Sequence, residues 1–288
     1  MSIENFIQNS HPRADLHCHT NCSDGALTPD ELIERAVGYQ IDMLAITDHD
    51  TVNGVDRAKR YIDEKNYSIN LIPGIEISTQ WHGFEIHVVG LNINSKSNAL
   101  EDLIESQQSK RELRAIKMDE KLVKAGVDGV LQEAKALAGD GAITRTHFAK
   151  VILDRGAVSS MQGAFDKYIG KGKRAYVKPQ WCSIAEAVDV IHESGGVAVL
   201  AHPIRYDLSP KWRRRLIVDF KHAKGNALEV ILPQMNNDQR KQMVSYCLEY
   251  GLHASLGSDF HAPNRWSDLG KNLTMPDECK PVWQLWQS

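Results

Sequence analysis

The stretch Asp15-Leu16-His17-Cys18-His19-Thr20 ends a short apolar run and carries two histidines two residues apart. In an extended strand, residues i and i+2 point to the same face, so the imidazoles of His17 and His19 can reach a single metal ion. Taken alone, such a pair is equally compatible with a structural role. Its meaning therefore depends on which other ligands the rest of the chain brings to the same place.

Composition limits the classes of protein to which this chain can belong. It has 288 residues, of which 42% are hydrophobic and 25% are charged, with a formal net charge of −3. This length suits one large α/β domain with an insert, or two smaller domains. No apolar run approaches the ~20 residues that span a bilayer, and residues 1–6 lack the basic and apolar regions of a signal peptide. Five scattered cysteines without a Cys-x-x-Cys pair favour reduced thiols and a cytoplasmic location.

Seven apolar, partly β-branched runs are typical of buried strands. They are residues 13–17, 43–47, 70–77, 84–91, 197–201, 227–232 and 253–256. Segments with helical periodicity lie between most of them, at residues 29–39, 52–65, 184–193, 210–224 and 238–250. Strands that alternate with helices predict parallel βα units, and seven such units predict a closed or nearly closed α/β barrel.

Residues 96–178 break this alternation because they contain helical patterns and no convincing strand. The longest pattern runs through Leu100, Leu103, Ile104, Leu113, Ile116 and Leu122, and shorter ones cover residues 130–137, 147–153 and 161–168. We predict a helical subdomain at 96–178, inserted between two parts of the barrel at 1–95 and 179–288. The insert carries 16 Lys and Arg against 11 Asp and Glu, a net charge of +5 that leaves −8 for the rest of the chain. A basic cap would attract an anion towards an acidic barrel; a helical arm with solvated charges is the alternative.

Histidines and carboxylates occur at the ends of six of the seven predicted strands. They are His17, His19, Asp24, His49, Glu76, His87, His202, Asp259 and His261. In a parallel barrel the carboxyl ends of the strands meet at one face, where active sites are built. Unpaired, such a buried cluster would cost several kcal/mol per charge, and cations remove that cost. The pattern therefore predicts a metal cluster.

The residue types in this set indicate the metal and its chemistry. Nine ligands are too many for one ion and suit two or three. Imidazole and carboxylate without cysteine favour Mn²⁺, Fe²⁺ or catalytic Zn²⁺. Ions about 3.5–4 Å apart bridge and deprotonate a water and stabilise the entering and leaving oxygens of phosphoryl transfer. A bridging hydroxide would then attack the phosphoester without a dedicated protein base.

The chain resembles the polymerase and histidinol phosphatase (PHP) superfamily. The motifs that carry the resemblance are Asp15-Leu16-His17-Cys18-His19-Thr20, Ile46-Thr47-Asp48-His49-Asp50, Gly74-Ile75-Glu76-Ile77-Ser78, Glu85-Ile86-His87, Ala201-His202-Pro203 and Ser258-Asp259-Phe260-His261. The resemblance covers nearly the whole chain. It implies a distorted seven-stranded (β/α)7 PHP barrel with an inserted helical subdomain and a trinuclear site, usually loaded with manganese.

Within the superfamily the chain is similar to the group of RNase AM-like exoribonucleases and 3′,5′-nucleoside bisphosphate phosphatases. The segments behind this narrower match are residues 144–149, 168–173, 179–182 and 282–286. By motif, the resemblance implies that a first ion is held by His17, His19, Glu76 and Asp259, a second by Glu76, His87 and His202, and a third by Asp24, His49 and His261. In some relatives a histidine stands at the position of Asp24. Asp48 is expected to orient a ligand from outside this set.

Other residues are candidates for contact with the substrate. The candidates for binding phosphate are Arg145, His147, Lys171, Lys173 and Arg205. Guanidinium groups bind phosphate bidentately, and a glycine-bearing turn lets amides and ammonium groups approach an anion. Asp24, His49, Arg145 and Arg205 are the candidate catalytic residues. Trp81, Trp181 and Tyr206 are candidates for stacking on a base, with core packing as the alternative.

The resemblance implies two activities, and one hypothesis joins them. The basic residues hold a 5′-phosphate, and the ester at the 3′ oxygen of the same nucleotide is cleaved. A 3′,5′-nucleoside bisphosphate (pAp) would yield AMP and phosphate, and 5′-phosphorylated RNA would release 5′-mononucleotides in the 5′→3′ direction. We expect three Mn²⁺ ions, with Zn²⁺, Fe²⁺ or Mg²⁺ as alternatives, and neither a membrane nor an obligate protein partner. The competing hypotheses are a histidinol phosphate phosphatase or other small-molecule phosphatase, an amidohydrolase-like deaminase and a non-catalytic metal-bound module.

Overall fold

The computed structural model describes residues 12–264 and 268–287. The expectation about a signal peptide concerns residues 1–6 and lies outside this range. In the described part, seven strands form one sheet: β1 Ala14–Cys18, β2 Met43–Ile46, β3 Asn70–Trp81, β4 Phe84–Leu91, β5 Val197–Leu200, β6 Ala227–Ile231 and β7 His253–Leu256. The same part contains nine α-helices: α1 Pro29–Gly38, α2 Asn53–Lys65, α3 Asn98–Lys124, α4 Val130–Ala138, α5 Arg145–Asp154, α6 Met161–Ala164, α7 Ile184–Glu193, α8 Pro210–His222 and α9 Asn237–Tyr250. A π-helical turn, Phe165–Ile169, follows α6, and a 3₁₀ helix, Val282–Gln287, ends the described chain. Of the helices in these ranges, none combines the length and apolar character that crossing a membrane requires.

The strands follow one another around the sheet in the order of the sequence and nearly close it into a barrel. β1, β2 and β3 are parallel, and so are β5, β6 and β7. Beyond β7, the backbone N–H of Asp259 donates to His17 O at 2.8 Å and that of His19 donates to Phe260 O at 2.9 Å, which joins the last strand to the first. The predicted α/β barrel is confirmed.

β4 is the exception to the predicted parallel arrangement, because it is antiparallel to both β3 and β5. The link between β3 and β4 is only His82 and Gly83, and both have positive φ, 45° and 81°. Two such residues form a tight hairpin turn, whereas a parallel connection needs a crossover of a dozen or more residues. The start of β4, with Glu85 and His87, therefore lies at the end of the barrel where the other strands finish. His87 pairs with Ser78 across the two strands.

Most elements lie within two residues of the ranges predicted from periodicity. β3 is longer than predicted because the hairpin continues its pairing to Trp81. α1 begins at Pro29 as predicted and is capped by Thr28, whose side chain accepts from Glu31 N while the Glu31 carboxylate accepts from Thr28 N. Local sequence signals thus fix the helix ends well.

The insert has a hydrophobic cluster of its own, built around residues such as Leu122, Phe148 and Ile152. The first turns of α3 belong instead to the barrel core, through Leu100. The two hydrophobic clusters of the described residues thus meet within α3. The domain boundaries at residues 95 and 178 stay a prediction.

The apolar pattern that predicted α3 does not mark the buried face of the helix in its middle. Leu113 is 58% exposed and Ile116 is 38% exposed. The residues that α3 buries at this level are Gln107, Arg111 and Arg114. They lie at i, i+4 and i+7, so they continue the stripe from Leu100 to Leu122, but this part of the helix contacts polar groups of the barrel instead of apolar ones.

Candidate active site

Glu76 lies at the centre of the candidate site, fully buried on β3. Its two carboxylate oxygens lie close to the ring nitrogens of five histidines. Glu76 Oε1 is 2.8 Å from His87 Nδ1, 3.0 Å from His202 Nε2 and 3.4 Å from His17 Nε2. Glu76 Oε2 is 2.9 Å from His49 Nδ1 and 3.4 Å from His19 Nε2. The ends of β1 to β5 thus meet around one carboxylate.

Side-chain atoms close enough to share an ion form three overlapping groups. The first is His17, His19, Glu76 and Asp259, the same four residues that the family motifs implied for the first ion. The second is His19, Asp24, His49 and His261, the predicted third set with His19 added. The third is His49, Glu76 and His87, where the prediction had His202 in place of His49. His202 contacts the same oxygen of Glu76, so all nine candidate ligands lie together.

The protonation states in the cluster are set by burial and by neighbouring charges. Burial, together with His261, lowers the pKa of His19 to about 3, so its imidazole is neutral and able to bind a cation. Burial raises the pKa of Asp24, but His261 and His49 offset this and hold it well below its usual range. Burial lowers the pKa of His261, yet Asp24 and Asp259 raise it to about 10. Metal binding to His261 would therefore release a proton.

The contacts within the cluster test whether it fits metal ions. His49 Nδ1 and Glu76 Oε2 lie 2.9 Å apart, yet neither has a hydrogen-bond partner among the described residues. The Nε2 atoms of His17 and His19 face each other at 3.2 Å. Buried polar atoms normally have partners, and divalent cations bound between these nitrogens and oxygens would supply them. The donor set therefore fits metal ions.

Glu229 is a site residue that sequence reasoning missed. It is buried on β6, where Glu229 Oε1 lies 2.7 Å from His17 Nδ1 and Oε2 accepts from the backbone N–H of His202 at 2.5 Å. A carboxylate on the far nitrogen of a metal-binding histidine fixes its ring and tautomer. The available signal was an acidic residue inside the apolar run Ala227–Ile231.

Asp48 and Asp15 support the cluster through the backbone. The described hydrogen bonds of Asp48 come from Thr20 N, Thr20 Oγ1 and Ser23 Oγ, at 2.6–2.7 Å. Asp48 thus fixes the turn that carries Asp24, and through Ser23 Oγ, 3.5 Å from His19 Nδ1, it also supports a candidate ligand from outside the set. Asp15 accepts from the backbone N–H groups of Ser258 and Gly270, which ties β1 to the loop of Asp259. Burial raises the pKa of both Asp15 and Asp48 to about 6.

A cleft of about 410 Å³ separates the cluster from the insert. Residues of both parts of the chain line this cleft. The barrel contributes Asp24, His49, Ser78, Glu85 and His87. The insert contributes Arg111, Arg114, Thr144, Arg145, Thr146 and Phe165. Thr144, Arg145 and Thr146 form the N-terminal end of α5. A helix N-terminus carries a partial positive charge and free N–H groups, which favour an anion.

Three arginines of the insert face two carboxylates of the barrel at this cleft. Arg145 Nη2 is 2.8 Å and Arg114 Nη1 is 3.3 Å from the Glu85 carboxylate. Arg111 Nε donates to Asp50 at 2.8 Å. Burial raises the pKa of Glu85, but Arg145 and Arg114 hold it well below its usual range. The cleft therefore keeps an excess of positive charge beside the acidic cluster, and Arg111 and Arg114 are two further residues that the sequence did not indicate.

The remaining predicted phosphate-binding residues lie elsewhere. His147 is buried and caps α5, where its Nδ1 accepts from Thr144 N at 3.1 Å. Lys171 is exposed and reaches Gly83 O at 3.4 Å, and Lys173 is also exposed. Arg205 pairs with the Asp259 carboxylate at the edge of the cluster. Arg145 is thus the one predicted phosphate-binding residue that lines this cleft in the described part of the chain.

Of the three aromatic residues considered for base stacking, Trp81 and Trp181 are buried and Tyr206 is partly buried. Trp81 Nε1 donates to Asp219 Oδ2 at 2.8 Å. Trp181 lies under Arg111 and Arg114, whose guanidinium carbons are 5.1 and 5.3 Å from its ring centroid. The Tyr206 hydroxyl accepts from the backbone N–H of His87 at 2.8 Å. All three side chains thus pack against other residues, which is the alternative to base stacking that the sequence left open.

Comparison with known proteins places these features in a family context. The family model described as PHP domain matches residues 15–195. The 5′-3′ exoribonuclease Rnm of Escherichia coli is 47% identical over 273 residues, which cover 95% of this chain and 93% of that protein. The 3′,5′-nucleoside bisphosphate phosphatase of Chromobacterium violaceum is 39% identical over 272 residues, covering 94% and 95%.

The overall fold also matches a solved structure. It is that of a proposed metal-dependent phosphoesterase of Bifidobacterium adolescentis, with a TM-score of 0.81 and 26% sequence identity over 92% of this chain and 93% of that one.

Proposed function

The chain belongs to the PHP domain family, and on that basis we propose that it is a metal-dependent hydrolase of nucleotide phosphoesters with two activities at one site. It would remove the 3′-phosphate from 3′,5′-nucleoside bisphosphates, converting pAp to AMP. It would also release 5′-mononucleotides from 5′-phosphorylated RNA in the 5′→3′ direction. One relative is named for the exoribonuclease activity and another for the bisphosphate phosphatase activity, and each is similar to this chain over nearly its whole length. This supports a single site for both reactions.

The observation that carries this proposal is the cleft of about 410 Å³ between an acidic, histidine-rich cluster and three arginines. A nucleotide with two phosphates has an anion at each end. One phosphate would be bound by Arg145, Arg114 and the N-terminus of α5, while the 3′ ester lies at the cluster.

The proposed metal ligands are the nine clustered residues, and the proposed occupants are three Mn²⁺ ions, with Zn²⁺, Fe²⁺ or Mg²⁺ as alternatives. When bound, the ions would supply Lewis-acid stabilisation and lower the pKa of a water to about 7. Glu229 would hold His17 in place, and Asp48 the turn of Asp24. Arg205, beside Asp259, is placed to neutralise charge on the phosphoryl group. We also propose a cytoplasmic location, because all five cysteines are free thiols.

The test is a side-by-side assay of the purified protein with Mn²⁺. The substrates are pAp, 5′-phosphorylated RNA oligomers, the same oligomers with a 5′-hydroxyl, and histidinol phosphate. We expect hydrolysis of the first two, and slower cleavage of the 5′-hydroxyl RNA because it lacks the anion that the arginines bind. Equal rates on the two RNA forms would refute the anchoring role, and preferential hydrolysis of histidinol phosphate would favour the competing function.

A matched pair of variants in α5 and its C-cap tests the arginine side of the cleft. Arg145→Ala removes a guanidinium at the cleft, and charge-assisted bonds of this kind contribute about 1.5–3 kcal/mol. We expect kcat/KM to fall about 10- to 150-fold for both pAp and 5′-phosphorylated RNA. Arg155→Ala, which removes an exposed arginine paired with Glu133, is the control and should change neither.

A further inference from the structure

We propose that a surface beside the cleft binds the RNA chain downstream of the nucleotide being released, an inference that rests on the proposed function. This surface, the aromatic platform, consists of His82, Phe84, Trp212, Lys171 and Arg215. It comes from three separate parts of the chain: the β3–β4 hairpin, the first turn of α8 and the turn after the π-helix.

The platform presents partly exposed aromatic rings. Trp212 is 37% exposed and the His82 side chain is 42% exposed, with ring centroids 5.6 Å apart. Phe84 lies 6.2 Å from Trp212 and is only partly buried. Beneath them Trp81 is 7% exposed and packs edge-on against Trp212 at 5.4 Å. The rings are therefore held in fixed positions with open surface above them, as a stacking site for bases requires.

Cations accompany these rings. Lys171 Nζ lies 4.7 Å from the Phe84 ring centroid, and the Arg215 guanidinium carbon lies 5.3 Å from that of Trp212. Both side chains are exposed. Asp219 is a carboxylate in contact with this surface: its Oδ2 accepts from Trp81 Nε1 at 2.8 Å and lies 3.9 Å from both Arg215 Nε and His82 Nε2. Lys171 has no such carboxylate among its described contacts, and Arg215 is paired only at this longer distance. Aromatic rings flanked by Lys and Arg are the combination that binds single-stranded nucleic acid, because bases stack on the rings and phosphates pair with the cations.

The platform lies around the tip of the β3–β4 hairpin from the cleft. Phe84 directly precedes Glu85, which lines the cleft, and its side chain points to the opposite face of β4 from Glu85 and His87 because side chains alternate along a strand. On the other side, Tyr206 contacts His87 and packs against His202, and α8 begins four residues later with Trp212 in its first turn. The platform is thus connected to the cluster through the hairpin and through the segment after β5, and RNA that leaves the cluster past His87 and His202 would cross the hairpin tip to reach it. A bisphosphate ends at its 3′-phosphate, whereas RNA continues from that point, so the platform would contact RNA alone.

The experiment compares Trp212→Ala with Trp212→Phe on two substrates, pAp and a 5′-phosphorylated single-stranded RNA oligomer. Loss of stacking by one base corresponds to about a 5- to 150-fold change in affinity. We expect Trp212→Ala to raise KM for RNA by a factor in this range and to lower the ratio of RNA to pAp turnover. Trp212→Phe should restore most of that ratio because it retains a ring. Thermal unfolding of both variants identifies any loss of folded protein.

Two adjacent arginines on α8 supply the matched control. Arg215 lies over Trp212, with Asp219 Oδ2 3.9 Å from its Nε, whereas Arg214 pairs with Glu249 on α9 at 2.6 Å. Arg215→Ala should raise KM for RNA several-fold and weaken its dependence on salt, and Arg214→Ala should leave both unchanged.

The outcomes separate this inference from the proposed function. A wild-type protein that hydrolyses neither pAp nor RNA contradicts the proposed function itself. A wild-type protein that degrades RNA, with Trp212→Ala and Arg215→Ala degrading it at the same KM, overturns the platform alone. In that case the rings only pack the hairpin against α8 or contact another protein.

Discussion

At the scale of single residues, Glu76 shows how one carboxylate organises the candidate site. Five histidine rings from the ends of four strands approach its two oxygens within 3.4 Å. Backbone strain accompanies this convergence, because Asp50, His202 and Asp259 all have positive φ, 49°, 29° and 51°. Non-glycine residues with such φ values are uncommon, and they concentrate at functional sites where the surrounding structure enforces them.

Asp259 tests the metal assignment directly. In Asp259→Asn the proposed ligand loses its charge but keeps its shape, so we expect Mn²⁺-dependent hydrolysis to fall by more than the roughly 10- to 100-fold typical of supporting residues. The fold should persist, which circular dichroism would confirm. Unchanged turnover would mean that Asp259 does not hold a metal.

Glu229 tests the support of the cluster. In Glu229→Gln one amide group replaces a carboxylate that accepts from both His17 and the His202 backbone, so one of these contacts loses its acceptor. We expect the Mn²⁺ concentration for half-maximal activity to rise about 10- to 100-fold. Saturating Mn²⁺ should recover much of the rate. A titration curve identical to that of the wild type would exclude this role.

Gly257 tests how closely β7 and β1 approach at the site. A Cβ at this position would lie 2.3 Å from His17 Cβ and 2.9 Å from its backbone nitrogen. Because backbone cannot move aside as a flexible side chain does, Gly257→Ala should destabilise the protein by about 1–3 kcal/mol in urea unfolding. Gly38, at the end of α1, is the control, because a Cβ added there would have no described atom within 4 Å. Gly38→Ala should be neutral or slightly stabilising.

At the scale of elements, α3 and the β3–β4 hairpin determine the site. α3 joins the two hydrophobic clusters and carries Gln107, Arg111 and Arg114 to the barrel. Gln107 Nε2 donates to Ser78 O at 2.6 Å, and Arg111 binds Asp50. The hairpin reverses β4 so that Glu85 and His87 face this helix. These two elements set the distance between the arginines and the cluster.

Two leucines on α3 test which of its faces is buried. Leu122 is fully buried in the insert, whereas Leu113 is 58% exposed. Leu122→Ala should lower the free energy of unfolding by about 2–5 kcal/mol because it leaves a cavity. Leu113→Ala should change it by no more than about 0.5 kcal/mol. Similar losses for both variants would place Leu113 in a packed interface in solution.

At the scale of the whole molecule, charge is divided between the two parts of the chain. Residues 96–178 have a net charge of +5 and the remainder −8, and side chains from both parts line the cleft. Most of the buried negative charge at the cluster comes from Asp24, Glu76, Asp259 and Glu229. Folding brings these carboxylates together, so the stability of the molecule should depend on bound cations.

Metal removal tests this dependence. An ion that binds only the folded state stabilises it by about 2.7 kcal/mol at a concentration 100 times its dissociation constant. We expect Mn²⁺ to raise the unfolding temperature, EDTA to lower it to the value of the metal-free protein, and Asp259→Asn to show a smaller shift. If the wild type unfolds at the same temperature with Mn²⁺ and with EDTA, the cluster does not bind metal in the folded protein.

The sequence by itself determined the α/β class, the strand and helix ranges within a few residues, and the nine residues that form the cluster. It could do so because apolar periodicity, capping residues and histidines at strand ends are local signals. The His17 and His19 pair was identifiable in this way before any fold was known.

Only the tertiary structure decided the direction of β4, the role of Glu229 and the part played by Arg111 and Arg114. The hydrophobic pattern of a strand is the same whether the strand pairs parallel or antiparallel, because side chains alternate between the two faces in both cases. A charged residue within an apolar stripe looks like a break in the hydrophobic pattern as long as its partner is unknown. For Arg111 that partner is Asp50, 61 positions away, and for Glu229 it is His17, 212 positions away. Such contacts arise from long-range pairing of elements, which local periodicity does not encode.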